Sequence, residues 1–316
     1  MTIAVIDAET VERVLTMPVC IDLMAQAQAA ISRGEIELPL RTVLPVAGEN
    51  TFYVMPGETP DPPVFGAKLC SRFAANPSAG FPAIQGQIVL FDSRDGAPIG
   101  LIEAASVTGI RTAAASGAAT RALARDDAHV VALLGYGVQA RTHLEAMRTV
   151  RPVDEVRVWG PSIDKARHFA ETEGARQGVV VTAVETSQEA VTAADLICGV
   201  SNADEAIIEG PWVSPGAHLN LVGAHGPTHR EAGGDVMAAA RIFTEVTAFG
   251  LAESGDLNRA MAEGKVSASD IVGEVGDVID GRLEGRTSDD DITAYLSHGN
   301  TAQDLYAAHY ILQNAG

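Results

Sequence analysis

The segment GYGVQA at 135–140 limits what this chain can fold into more than any other, because of what stands on either side of it. The unbroken apolar run VVALL precedes it at 130–134, and a helix-type pattern, RTHLEAM, follows from Arg141. A strand, a glycine turn and a helix in immediate succession read as the first βα unit of a dinucleotide-binding fold. Gly135 permits the tight turn, Gly137 lets backbone approach a pyrophosphate, and Ala140 allows the helix to pack closely on the strand. Val138 and Gln139 complete the cofactor-binding turn. An ordinary strand-to-helix turn also needs glycine, so the alternation downstream decides the reading. VDEVRVWG, GVVVTAVE, DLICGVS, HLNLVGA and ARIFTEV read as strands, with IDKARHFAETEGA, SQEAVTAA and GDVMAAA as helices among them. Such alternation predicts an α/β fold, a doubly wound parallel sheet flanked by helices.

The second strand of this unit ends at Gly160, where an NAD site usually carries a carboxylate for the ribose 2′-hydroxyl. Without that acid a 2′-phosphate is not repelled, and Ser162 and Lys165 supply donors for one. The sequence therefore favours NADP(H) over NAD(H). The plainer alternative makes Lys165 a solvated helix residue.

The chain before the glycine turn has a different character. Residues 7–33 carry apolar residues in helical rhythm, with Asp7 and Thr10 as cap candidates and an interruption at Pro18, so two successive helices are expected. From Leu38 to Phe91, short β-type runs separated by Pro and Gly predict an antiparallel sheet. FDSRDGAPIGLIEA holds a DG turn between apolar runs, a hairpin signal, and the Ala-rich stretch 113–124 predicts a connecting helix. After about Thr247 the chain turns acidic and helical, and TAQDLYAAHYILQN is an amphipathic helix placed to return to the first domain. The expected organisation is an α+β domain, 1–115 with 296–316, around a Rossmann domain at 116–295.

Composition excludes several functions. Lys and Arg total 22 against 41 Asp and Glu, a net charge of −19, which opposes a nucleic-acid footprint or an anionic membrane surface. No run approaches the roughly 18 apolar residues of a spanning helix. The 3 cysteines, Cys20, Cys70 and Cys198, lack CxxC spacing, and the histidines lack HExxH spacing, so neither a disulfide scaffold nor a metal site is expected. A cytoplasmic protein is the expectation.

VFGAKLCSRF at 64–73, GQIVLFD at 86–92, ASVTGIRTAAASGAAT at 105–120, LLGYGVQARTHLEA at 133–146 and HLNLVGAHGPTHRE at 218–231 together resemble the ornithine cyclodeaminase and μ-crystallin family over most of the chain. The resemblance implies that the α+β domain binds substrate and dimerises, giving a homodimer whose site lies between the domains, with an amino or imino acid against the nicotinamide. It also implies that Arg41, Lys68 and Arg111 hold the substrate carboxylate, for which arginine's planar fork is suited. Each of them pairing with an internal Asp or Glu is the competing reading. Thr112 resembles a family position that contacts cofactor phosphate, and a helix cap explains it equally well. His225 departs from the family pattern, because ornithine cyclodeaminases carry an Asp in the matching loop. An imidazole both donates and accepts, so it suits an imine nitrogen better than an ammonium group.

That departure moves the expected activity away from deamination. The expected reaction is NAD(P)H-dependent reduction of a cyclic ketimine carboxylate, Δ1-pyrroline-2-carboxylate or Δ1-piperideine-2-carboxylate, with Lys68 and His225 as catalytic residues. Ornithine cyclisation, an alanine dehydrogenase-like reaction and a non-catalytic NADPH-binding role are the alternatives. Val54, Met55 and Ile84 are expected near the pocket that sets ring size.

Overall fold

The computed structural model describes residues 3–48, 50–224, 226 and 229–316. The chain divides into two compact units, 1–112 with 299–316, and 113–298. These divisions, at 112/113 and 298/299, lie three residues from those read from the sequence at 115/116 and 295/296. In chain order the first unit contains β1 (Ala4–Ile6), α1 (Ala8–Val14), α2 (Met17–Ser32), β2 (Thr42–Val46), β3 (Asn50–Thr59), β4 (Val64–Arg72), β5 (Ile84–Asp92), β6 (Pro98–Glu103) and the start of α3 (Ala104–Leu123). The second contains the rest of α3, then β7 (Val130–Leu134), α4 (Val138–Val150), β8 (Glu155–Trp159), α5 (Ile163–Gln177), β9 (Val181–Ala183), α6 (Ser187–Val191), β10 (Leu196–Gly199) and β11 (His218–Leu221). It continues with α7 (Gly234–Ala239), β12 (Ala240–Thr244), α8 (Thr247–Glu253), α9 (Gly255–Ala262), β13 (Ile271–Glu274), α10 (Val275–Ile279) and β14 (Ile292–Leu296). The last helix, α11 (Thr301–Asn314), belongs to the first unit.

In the first unit a six-stranded sheet runs β1-β6-β5-β4-β3-β2, antiparallel except where β1 lies parallel to β6. Asp7 accepts from the Thr10 amide and caps α1, so Thr10 supplies the amide and is not itself the cap. Pro18 lies in the first turn of α2, where its missing N–H costs nothing. α3 begins at Ala104, well before the expected 113, because the Glu103 carboxylate accepts from the amides of Ala105 and Ser106 and satisfies the first turn.

Strand pairing sorts the sheet into two faces. Met55, Lys68, Ile88 and Ile102 stand opposite one another along one row and are buried on the inner face, and α11 packs against α2, β3, β4, β5 and β6. Leu101, Val89, Ala67 and Leu69 form the other face and are half-exposed, with Val5 exposed beside them. Phe65 and Phe91 stack on that outer face with ring centroids 5.0 Å apart. One face is thus covered by helices, and the other carries an apolar strip through Val5, Leu101, Val89 and Ala67.

The second unit holds an eight-stranded, wholly parallel sheet in the order β13-β12-β14-β11-β10-β7-β8-β9. β7 is buried along its whole length, as a central parallel strand must be. The order around β7 reverses between β8 and β10, which makes their carboxyl ends the topological switch point where such sheets take ligands. Two strands, β13 and β14, lie in the stretch that reads as acidic and helical in the sequence. β14 is the last strand in the chain yet pairs between β11 and β12. Among the described residues no single helix is long and apolar enough to cross a membrane.

Candidate active site

The start of α11 collects the expected cations. Asn300 caps the helix by accepting from the Gln303 amide at 3.2 Å, which sets the first turn. On that turn the Asp304 Oδ1 atom accepts from Lys68 Nζ at 3.2 Å and from Arg111 Nε at 3.0 Å. Arg111 Nη1 also donates to Gln303 Oε1 at 3.2 Å. Just before the helix, the Gly299 carbonyl accepts from Arg41 Nη2 at 3.0 Å. Gly299 has φ +69, and a Cβ there would stand 2.5 Å from the Arg111 guanidinium, so only glycine brings the chain this close. The three cations named from the sequence therefore meet around residues 299–304.

Their environment is dry. Lys68 is 2% exposed, Arg111 4% and Asp304 0%. Burial, with Arg111 beside it, pushes the Lys68 ammonium below the usual lysine range, while Asp304 opposes that shift by charge and hydrogen bond. Burial also pushes the thiols of Cys20 and Cys70 up, which keeps both neutral. Among the described residues Asp304 is the one partner of Lys68 Nζ, which leaves two of its three N–H groups unspent. Asp304 Oδ2 has no partner either. Lys68 and Arg111 thus share one internal acid, Asp304. Met55 and Ile84 share the Lys68 face of the sheet, whereas Val54 pairs with Leu69 on the outer face, away from Lys68.

In the second unit the glycine turn has the shape expected of it. Gly135 sits at φ +132, and a Cβ there would meet the Val200 carbonyl oxygen at 2.7 Å. Gly137 is the N-cap of α4, has no side-chain cap and has open space around its α-carbon. The first amides of a 13-residue helix are thereby left to a ligand, which is the requirement for a bound pyrophosphate. Val138 is exposed, Gln139 is half-buried and Ala140 is fully buried against the sheet. These residues fit a dinucleotide. Gly160 lies beneath the Tyr136 ring, which a Cβ would strike. Ser162 caps α5 by accepting from the Lys165 amide at 3.4 Å, and the Lys165 side chain is exposed. Thr112 is a buried residue in the middle of α3, so it is no helix cap.

His225 lies outside the described residues. Nearby in sequence, Glu231 is fully buried and fastens two loops at the carboxyl edge of the sheet. Its carboxylate accepts from Ser201 N at 2.6 Å, Ser201 Oγ at 2.7 Å and Gly223 N at 2.7 Å. Asp256 in turn accepts from the amides of Glu231 and Ala232. Burial, and for Glu231 the neighbouring Asp256, raise the pKa of both carboxyls. Sequence reasoning missed Glu231, Asp256, Gln303 and Asp304. The available signal for Asp304 was an acid four residues after Asn300 in a segment that is otherwise nearly all small or apolar on one side. Among the described residues no cluster of His, Cys, Asp or Glu could hold a metal ion.

A parallel sheet with a glycine turn at its switch point, joined in one chain to a sheet that gathers buried cations, defines a two-unit protein of the Rossmann-type dinucleotide-binding class. Within that class, the chain belongs to the ornithine cyclodeaminase/mu-crystallin family, which matches it over residues 1–316. It is 33% identical over 313 residues to a Delta(1)-pyrroline-2-carboxylate reductase of Bacillus cereus, covering 98% of this chain and 96% of that one. It is 35% identical over 279 residues to the ketimine reductase mu-crystallin of Mus musculus, covering 88% and 85% of the two chains. The fold superposes with a TM-score of 0.96 on the Thermococcus litoralis Delta(1)-pyrroline-2-carboxylate reductase solved in complex with NADH and L-proline, at 30% identity and covering 99% and 97% of the chains.

Proposed function

We propose that this chain reduces a cyclic ketimine carboxylate, Δ1-pyrroline-2-carboxylate or its six-membered homologue Δ1-piperideine-2-carboxylate, to L-proline or L-pipecolate with NAD(P)H as reductant. The observation that carries this reading is the buried Lys68 ammonium with two unspent N–H groups, set beside Arg111 on a shared carboxylate. A desolvated cation with open donors is stabilised by a ligand that brings its own anionic oxygens. Lys68, Arg111 and Arg41 hold the substrate carboxylate, which orients the ring. The coenzyme lies on Gly135–Ala140, with Thr112 contributing to its phosphates. When bound, the reduced nicotinamide supplies the hydride that ends on the α-carbon. His225 keeps a proton on the ring nitrogen, because an iminium accepts hydride more readily than a neutral imine.

NADPH is the favoured coenzyme, since β8 is followed by Gly160 in place of a carboxylate, with Ser162 and Lys165 just beyond. A second copy of the chain is the proposed partner, and the apolar outer face of the first sheet supports a homodimer. The three cysteines are free thiols, in keeping with the reducing cytoplasm.

The test is a panel in which coenzyme oxidation is followed by absorbance. NADPH and NADH are each paired with the five- and six-membered imines, with pyruvate plus ammonia, and with ornithine. Steady coenzyme consumption with a cyclic imine is expected. Ammonia release from ornithine with no net coenzyme consumption replaces this reading with cyclodeamination. Lys68→Met and Arg111→Met should each raise KM for the imine at least about tenfold, the worth of a charge-assisted hydrogen bond, while coenzyme affinity stays unchanged.

A further inference from the structure

We infer that Asp304 is a positioning residue of this site, one that fixes Lys68 and Arg111 in the posture that receives the substrate carboxylate. This rests on the reading of the cation cluster as the carboxylate site, and it assigns work to a residue on an element remote in sequence from the cations it serves.

The geometry is specific. α11 starts at a capped turn, and Asp304 is set on that turn by backbone geometry and burial together. One of its oxygens receives both cations, at 3.2 and 3.0 Å, which brings an ammonium from β4 and a guanidinium from α3 to a common point. Two like charges gathered in a dry place repel each other, and an acid between them is what permits the arrangement. The charged and titratable groups facing Lys68 are Asp304 from α11, Arg111 from α3 and Cys70 along β4, while Cys20 from α2 faces Asp304 and Arg111. Arg41 acts on Cys70. Both thiols are held neutral by burial, so among these groups Asp304 alone supplies negative charge.

The direction of the pH effect follows. Burial and Arg111 lower the Lys68 pKa, and Asp304 raises it. Removing the acid while keeping its shape lets that pKa fall further. Carboxylate binding requires the ammonium form, so it is lost at a lower pH. Asp304→Asn should shift the alkaline limb of kcat/KM for Δ1-pyrroline-2-carboxylate down by about one to three pH units, the usual effect of one adjacent charge. KM at neutral pH should rise at least about tenfold, with a smaller change in kcat and none in NADPH affinity. The titration of the imine itself is common to all the enzymes and cancels in the comparison.

Two more variants separate charge from fold. Asp304→Glu keeps the charge and displaces it, so it should raise KM yet leave the alkaline limb in place. Lys68→Arg added to Asp304→Asn should move the limb back up, because a guanidinium does not titrate in this range. If Asp304→Asn does not fold, Asp304→Glu decides, and a limb that falls in that variant overturns the inference. An unmoved limb in folded Asp304→Asn overturns it too. If Lys68→Met and Arg111→Met lose substrate while the Asp304→Asn limb stays, the inference alone is lost. If those two variants bind the imine normally, the reading of the site goes with it.

Discussion

Gly135 and Gly160 show two uses of a missing side chain. At Gly135 the backbone is left-handed and faces a backbone carbonyl, that of Val200, which cannot move aside. Gly135→Ala therefore combines strain with a clash and should weaken coenzyme binding by about 1–3 kcal/mol, measured by NADPH titration. At Gly160 the space is taken by the flexible ring of Tyr136, so a side chain there is tolerated if the ring swings away. Gly160→Asp restores a carboxylate at the ribose position, and the ratio of NADPH to NADH affinity should fall by about tenfold or more. An unchanged ratio in equilibrium titrations would remove the argument for NADPH. Glycines and lone cations in apolar surroundings were legible because each is unexpected where it stands. Asp304 and Glu231 were not, since a carboxylate in an amphipathic segment reads as solvated until its partners, distant in sequence, are known.

Among the elements, α3 and α4 are tied by His143, whose Nε2 meets Ser116 Oγ at 2.9 Å while its Nδ1 bonds the Gln139 carbonyl. Burial pushes the His143 pKa down to about 4, and that of His218 down to about 3. Both histidines bind a proton near pH 6.5 when unfolded and not until far lower pH when folded. Their contribution to stability is complete above about pH 6.5 and is lost as pH falls toward the folded values. For His143 the loss reaches about 1.4 kcal/mol near pH 5.5. The raised carboxyls of Glu231 and Asp256 act in the opposite sense, stabilising less as pH rises, so the wild-type profile is a sum. His143→Gln isolates one contribution: its unfolding midpoint should fall less steeply than wild type between pH 7 and 5. The βα units were legible at this scale because each strand is a buried apolar run beside a patterned helix. β13 and β14 were not. They are four and five residues long, set among acids, and only their place in the sheet makes them strands.

For the whole molecule, the two-unit plan was legible from the change in character at the glycine turn, and the outer face of the first sheet was not, because strand pairing alone reveals which residues share it. Val89 lies near the middle of that face, between Leu101 and Ala67. The protein should sediment as a dimer and Val89→Asp as a monomer, since one charge in an apolar interface is expensive to desolvate. A wild-type monomer at micromolar concentration would refute the homodimer. The chain order of the two sheets has a last consequence. β14 fills a gap in the interior of the parallel sheet, and α11 covers the inner face of the other, so both units wait for the final stretch from Ile292 onward. Neither half can close until β14 and α11 have been made. A product that stops short of Ile292 should be degraded as a single unfolded species, with no surviving coenzyme-binding fragment.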